Sequence, residues 1–91
     1  MENSQSFTNA WEVGGLALPE GTKFRGNYKG YYYRAMVVNK TLMLNSRAFL
    51  TPSAAAISIT RYPVDGWMFW ECKFPDQSCW RSLTQLKNTT R

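Results

Sequence analysis

The stretch that decides the fold is Phe49-Leu50-Thr51-Pro52-Ser53-Ala54-Ala55-Ala56, and Gly66-Trp67-Met68-Phe69-Trp70 begins ten positions after its last alanine. Thr51 is a good N-cap, and Pro52 suits the first helical position because its missing N–H would be unpaired there. A helix is therefore predicted to begin at Pro52 and to end near Arg61. Its small alanines can approach a strand closely, and the aromatic segment that follows is the expected partner in one core.

The segments on either side of this helix read as short antiparallel strands. β-Branched and aromatic residues favour an extended chain, and Tyr33, Ala35 and Val37 are expected to face the core. Asn-containing turns connect the strands, because Asn tolerates positive φ. The predicted strands cover residues 22–28, 31–38, 41–44, 47–50 and 67–74. The fold class is therefore α+β: a small antiparallel β-meander of about four to five strands with one central short helix packed on it.

The two ends of the chain are expected to differ from its middle. Residues 1–12 are polar and predict a flexible tail, from which Phe7 or Trp11 docks on the domain. Residues 13–87 form one domain, which opens with a short turn or helical fragment over residues 13–21. Trp80, Leu83 and Leu86, three apart, predict a short C-terminal helix, and residues 88–91 are expected to fray.

The composition of the chain indicates its compartment, the redox state of its cysteines and whether it binds a metal. The start of the chain lacks the basic and apolar regions of a signal peptide, and no apolar run could span a bilayer, so we expect a cytoplasmic protein without a membrane partner. Cys72 and Cys79 could close a disulfide loop in an oxidising compartment, although reduced thiols are expected in this setting. With no histidine in the chain, two thiols do not complete a zinc site, and we expect no metal and no cofactor.

Catalysis is not expected. Histidine, the commonest general base, is absent, the six carboxylates form no close pair, and neither cysteine has an evident activating base. The chain is therefore predicted to bind rather than to catalyse.

The distribution of charge indicates what it binds. The net charge is +5, and no acid occurs between Glu20 and Asp65, where seven basic residues lie. Phosphate-rich ligands require such cations along one face, although a solvated surface that happens to be basic is the plain alternative. The predicted DNA-binding surface consists of Lys23, Arg25, Lys29, Arg34, Arg47 and Arg61.

Five sequence motifs follow one another along the chain: Tyr28-Lys29-Gly30, Tyr33-Arg34-Ala35, Phe49-x-Thr51-Pro52-Ser53-Ala54-Ala55-Ala56, Asp65-Gly66-Trp67-x-Phe69-Trp70 and Trp80-x-x-Leu83-x-x-Leu86. Their succession resembles the RAMA domain, a family named for its association with restriction enzymes and adenine methylases, over residues 13–87. The resemblance implies a small α+β module that binds DNA in a restriction-modification context, with N6-methyladenine as the candidate modification that it reads.

Three residues are the expected lining of a recognition pocket: Tyr33, Ser53 and Trp67. Ser53 is also explained by hydrogen bonding within the first helical turn, and Trp67 by packing in the core. A second hypothesis is a protein-docking module that recruits or regulates a methylase, a nuclease or another partner in trans. A phage or mobile-element protein that inhibits or adapts a restriction system is a third, which the sequence does not separate from these.

Overall fold

Six antiparallel strands form the main sheet of the structure, a computed structural model that describes residues 10–89. The strands are β1 (Trp11–Val13), β2 (Leu16–Leu18), β3 (Lys23–Tyr28), β4 (Tyr31–Val38), β5 (Thr41–Leu44), β6 (Arg47–Phe49), β7 (Trp70–Lys73) and β8 (Arg81–Ser82). The helices are α1 (Pro52–Thr60), α2 (Gly66–Phe69) and α3 (Leu83–Thr89). The α+β fold class predicted from the sequence is confirmed.

The main sheet has the strand order β6-β5-β4-β3-β7-β8, and β1 and β2 form a separate hairpin. Tight turns join β4 to β5 and β5 to β6. Asn39 and Lys40 have φ of 56° and 66°, and Asn45 and Ser46 have φ of 50° and 71°, which is the positive-φ pair that a two-residue hairpin turn requires. The meander predicted for residues 31–50 is therefore confirmed, and β8 adds a sixth strand that the sequence analysis missed.

One face of this sheet is covered and the other is open. Because side chains alternate along a strand, one face carries the buried residues Phe24, Ala35, Val37, Leu42, Leu44, Trp70 and Cys72. Ala55 and Ala56 of α1 are fully buried on this side, as predicted, whereas Tyr33 is only half-buried. On the opposite face Lys23, Arg34 and Met36 are exposed.

Helix α1 begins where the sequence predicts, because Thr51 Oγ1 accepts a hydrogen bond from Ala54 N at 3.1 Å. The aromatic segment packs against this first turn: Trp70 Nε1 donates to the Pro52 carbonyl at 3.0 Å. Gly66 N donates to Ser53 Oγ at 2.9 Å, and a Cβ on Gly66 would collide with the Pro52 carbonyl. Only glycine therefore fits this contact.

The prediction of one strand over residues 67–74 is wrong in its first half. Asp65 caps a single helical turn, α2, by accepting a hydrogen bond from Trp67 N at 3.0 Å. Met68 N and Phe69 N both donate to the Asp65 carbonyl, so β7 begins only at Trp70. The aromatic residues favour a strand by propensity, but this cap holds them in a helical turn.

Two boundaries also differ from the sequence prediction. A flexible tail to residue 12 and then a short turn or helical fragment were predicted, but residues 11–18 form the β1–β2 hairpin, with a turn at residues 14–15. Trp11 is buried, and its Nε1 donates to the Leu50 carbonyl at 3.3 Å. Trp11 is thus a docked aromatic residue, while Phe7 lies outside the described residues. At the other end, α3 continues to Thr89.

No helix within residues 10–89 is both long enough and apolar enough to cross a membrane.

Adjacent alanines of α1 provide a direct test of its packing. We expect Ala55→Leu to lower the free energy of unfolding by about 1–3 kcal/mol, because the larger side chain overpacks the contact with the sheet. The same change at exposed Ala54 should alter it by less than about 0.5 kcal/mol. Denaturant unfolding of both variants measures this difference, and equal stabilities would show that the Ala55 face is not packed as described.

Candidate nucleic-acid interface

A groove of about 460 Å³ lies on the open face of the sheet. Strands β3, β4 and β7 supply its floor, and the segment before β8 supplies Trp80 at one side. The groove is lined by Lys23, Phe24, Arg25, Tyr32, Arg34, Ala35, Met36, Lys73 and Trp80. Cations and aromatic rings therefore share one surface, which we call the cationic groove.

The strand register places like charges directly opposite one another. Lys23 of β3 is the Cα partner of Lys73 on β7, and Arg25 of β3 is the Cα partner of Arg34 on β4. Directly opposed like charges destabilise an antiparallel pair. Glu71 on β7 is also a Cα partner of Arg25 and offsets its repulsion from Arg34, so the uncompensated repulsion lies between Lys23 and Lys73. A bound anion would relieve that repulsion.

Arg25 lies at the centre of the cationic groove. Its Nε donates to Glu71 Oε1 at 2.8 Å, and this ion pair fixes the guanidinium. The Arg25 Cζ atom lies 4.3 Å from the centroid of the Trp80 ring and 5.7 Å from that of Tyr32. Lys73 Nζ lies 5.3 Å from the Trp80 centroid. Within residues 10–87, Glu71 is the one carboxylate paired with a groove cation.

The six basic residues predicted as a DNA-binding surface do not form one patch. Lys23, Arg25 and Arg34 meet in the cationic groove. Lys29 lies in the β3–β4 turn, with its Nζ 5.4 Å from the Tyr28 ring centroid. Arg47 and Arg61 line a separate cleft of about 220 Å³ between the sheet and α1. The single surface expected from the sequence is thus divided among three places.

The three residues predicted to line a recognition pocket are also divided. Tyr33 lines the cleft that contains Arg47 and Arg61. Ser53 and Trp67 instead lie at the joint between α1 and α2, where the Ser53 hydroxyl accepts the Gly66 hydrogen bond. The Trp67 ring packs so closely on the β1–β2 turn that a Cβ on Gly14 would collide with it. Ser53 and Trp67 therefore have structural roles in this fold.

The sequence analysis missed three groove residues: Tyr32, Lys73 and Trp80. Lys73 alternates with buried Cys72 in β7, so its placement follows once the strand and its register are known. Trp80 was expected to share the apolar stripe of the last helix. It precedes that helix instead, and its ring lies in the groove, whereas Leu83 and Leu86 are buried.

The cysteines have different environments. Cys72 and Cys79 are both free thiols, the first buried and the second exposed. Burial raises the pKa of Cys72 to about 11, although Arg81 acts in the opposite direction, so this thiol stays protonated at neutral pH. Among the residues that the structure describes, no three His, Cys, Asp or Glu side chains lie together as a metal site.

Comparisons of the chain with protein-family models, with curated proteins and with solved structures found no match. Four cations and one carboxylate favour an anionic ligand, and the rings of Tyr32 and Trp80 can contact flat groups. The arrangement is suited to a ligand that combines negative charge with planar rings.

The charge repulsion in the groove can be measured through stability. Lys23→Gln removes one member of the Lys23–Lys73 pair, and we expect the free energy of unfolding to rise by about 0.2–1 kcal/mol at low salt. Lys40→Gln removes the same charge from the exposed β4–β5 turn and is the control. Thermal unfolding should separate the two variants at low salt, and the gap should close as salt screens the charges. Equal stabilities at low salt would contradict the repulsion.

Proposed function

We propose that this chain is a non-catalytic DNA-binding module that holds phosphates in the cationic groove. The observation that carries the proposal is the cross-strand placement of Lys23 opposite Lys73 and of Arg25 opposite Arg34. A ligand with several negative charges would stabilise this fold most, because it would neutralise several of the opposed cations at once. DNA presents such charges at regular intervals along its backbone.

The resemblance to the RAMA domain supports DNA as the polyanion and a restriction-modification setting as the context. Reading of N6-methyladenine is the finer part of this proposal and depends on the resemblance. One buried methyl group contributes roughly 0.8 kcal/mol, so a preference for methylated DNA would be roughly four- to tenfold unless the base enters a closed pocket. Backbone contacts are therefore expected to supply most of the affinity.

The size of the groove bounds the strength of binding. At most four cations line it, and each phosphate that a cation neutralises contributes about −0.9 to the slope of log affinity against log salt for duplex DNA. The slope for the wild-type protein should therefore be no steeper than about −4. Binding is expected to be weak at physiological salt and to strengthen sharply as salt is lowered.

A docking module for a methylase, a nuclease or another protein is the second candidate. The observation that favours it is the exposure of large apolar side chains outside the groove lining, since Leu50 is 72% exposed and Met68, in a cleft that adjoins the groove at Arg25 and Tyr32, is 75% exposed. Apolar contacts of this kind hold or tighten as salt rises, whereas phosphate contacts weaken. Salt dependence therefore separates the two candidates.

Two double variants with the same loss of charge test the proposed surface. Lys23→Ala/Arg34→Ala removes two groove cations, and Arg47→Ala/Arg61→Ala removes two cations of the separate cleft. We expect the first to make the salt slope shallower by about two units and the second to leave it nearly unchanged. Fluorescence anisotropy with a labelled DNA hairpin over a range of salt concentrations measures these slopes.

Because Arg47→Ala/Arg61→Ala removes the same charge as the groove variant, a difference between the two reports the location of the binding surface and not the net charge. Equal changes in slope for both double variants would mean that binding follows total charge and not the groove. A larger change for Arg47→Ala/Arg61→Ala would move the interface to the cleft between the sheet and α1. Either result would overturn the assignment of the groove.

A further inference from the structure

The aromatic residues of the cationic groove indicate which kind of anionic ligand it suits, which the charges alone do not. Tyr32 is 61% exposed and lies beside Arg25 at one end of the groove. Met36, two rows further along β4, is also exposed. Phosphate binding requires neither side chain. An exposed ring on an open sheet face is suited instead to stacking on another flat group.

Duplex DNA does not offer its base faces to such a ring. In a double helix the bases stack on one another, and a protein reaches only their edges in the grooves. In an unpaired stretch the base faces are free, and aromatic side chains beside cations are the usual means of binding them. The combination of Tyr32 and Trp80 with four cations thus favours a single strand over a duplex.

We propose that the cationic groove binds an unpaired stretch of DNA, with one base stacked on Tyr32 and the adjoining phosphates on Lys23, Arg34 and Lys73. This inference rests on the proposed DNA-binding function and specifies the form of the ligand. The groove volume of about 460 Å³ is within the range of pockets that bind a small organic ligand, so one nucleotide fits in it.

Arg25 supports this arrangement from the floor of the groove. Its ion pair with Glu71 uses the Nε hydrogen, which leaves the terminal guanidinium nitrogens to donate to a base or a phosphate. The guanidinium also lies close to the rings of both Tyr32 and Trp80, so it holds a fixed position between them. A base that stacks on Tyr32 would therefore lie beside a positioned donor.

The neighbouring tyrosine of β4 provides a matched control. Tyr31 is 69% exposed, close to the value for Tyr32, but it points to the opposite side of the sheet because side chains alternate along the strand. Tyr31→Ala and Tyr32→Ala therefore remove the same ring from two faces. Tyr32→Phe keeps the ring and removes only the hydroxyl group.

The test measures binding of a 12-nucleotide oligothymidylate and of a blunt-ended 12-base-pair DNA duplex over a range of salt concentrations. Wild type should bind the single strand at least about fivefold more tightly. Tyr32→Ala should lower single-strand affinity by roughly five- to 150-fold, with an unchanged salt slope. Tyr31→Ala and Tyr32→Phe should both stay within about twofold of wild type, which is small beside the loss of a stacked ring.

The outcomes distinguish this inference from the function on which it rests. If Tyr32→Ala binds the single strand as wild type does, or if wild type prefers the duplex, the single-strand inference is overturned. The proposed function survives that result as long as Lys23→Ala/Arg34→Ala still makes the salt slope shallower. If wild type binds neither probe even at low salt, both proposals are overturned.

Discussion

The hydrogen bond from Trp70 Nε1 to the Pro52 carbonyl is the constraint on which the remaining structure depends, because it joins the buried centre of the sheet to the first turn of α1. Two further hydrogen bonds meet at the same place: Trp11 Nε1 donates to the Leu50 carbonyl and Gly66 N donates to Ser53 Oγ. The β1–β2 hairpin, α2 and β7 are thus all attached to the start of one helix. On the exposed side of the same helical turn, the hydrogen bond from Ala54 N to Thr51 Oγ1 fixes the residue at which α1 begins.

This attachment determines which face of the sheet remains open. Helix α1 and the aromatic residues around it cover the side that carries Phe24, Val37 and Leu42. A sheet needs only one covered face to form a core, so the other face of an antiparallel sheet can meet solvent. The cationic groove occupies that open face. Apart from Phe24 and Ala35, the residues that line it lie outside the buried core, which leaves their charges and rings for a ligand.

Local signals in the sequence predicted much of this fold. Thr51 and Pro52 locate the start of α1, and the Asn39 and Asn45 turns locate the hairpins, since each signal acts within a few residues. The helical turn after Asp65 was missed because three aromatic residues favour a strand there. The Asp65 cap that holds this turn is local, but it acts together with a non-local contact: Gly66 packs on Pro52, and only the folded chain brings them together.

The groove was predicted only in part for the same reason. Lys23, Arg25 and Arg34 lie close together in sequence and were identified from the run of basic residues. Lys73 and Trp80 join them only through the β3–β7 register, across about fifty residues of chain. Conversely, Arg47 and Arg61 belong to the same basic run but lie across the sheet from the groove. Charge composition indicates a basic protein, and strand pairing determines which charges act together.

The central claim is that ligand contact occurs on the open face of the sheet, and amide and indole chemical shifts during a titration with the oligothymidylate test it most directly. Trp11 and Trp70 have indole N–H groups bonded to backbone carbonyls, whereas the Trp80 ring lies in the groove, so the indole signals report separately on core and groove. The account predicts the largest shifts at the Trp80 indole and at the amides of Lys23, Arg25, Tyr32, Arg34 and Lys73. Shifts centred on Arg47 and Arg61, with the Trp80 indole unchanged, would contradict it.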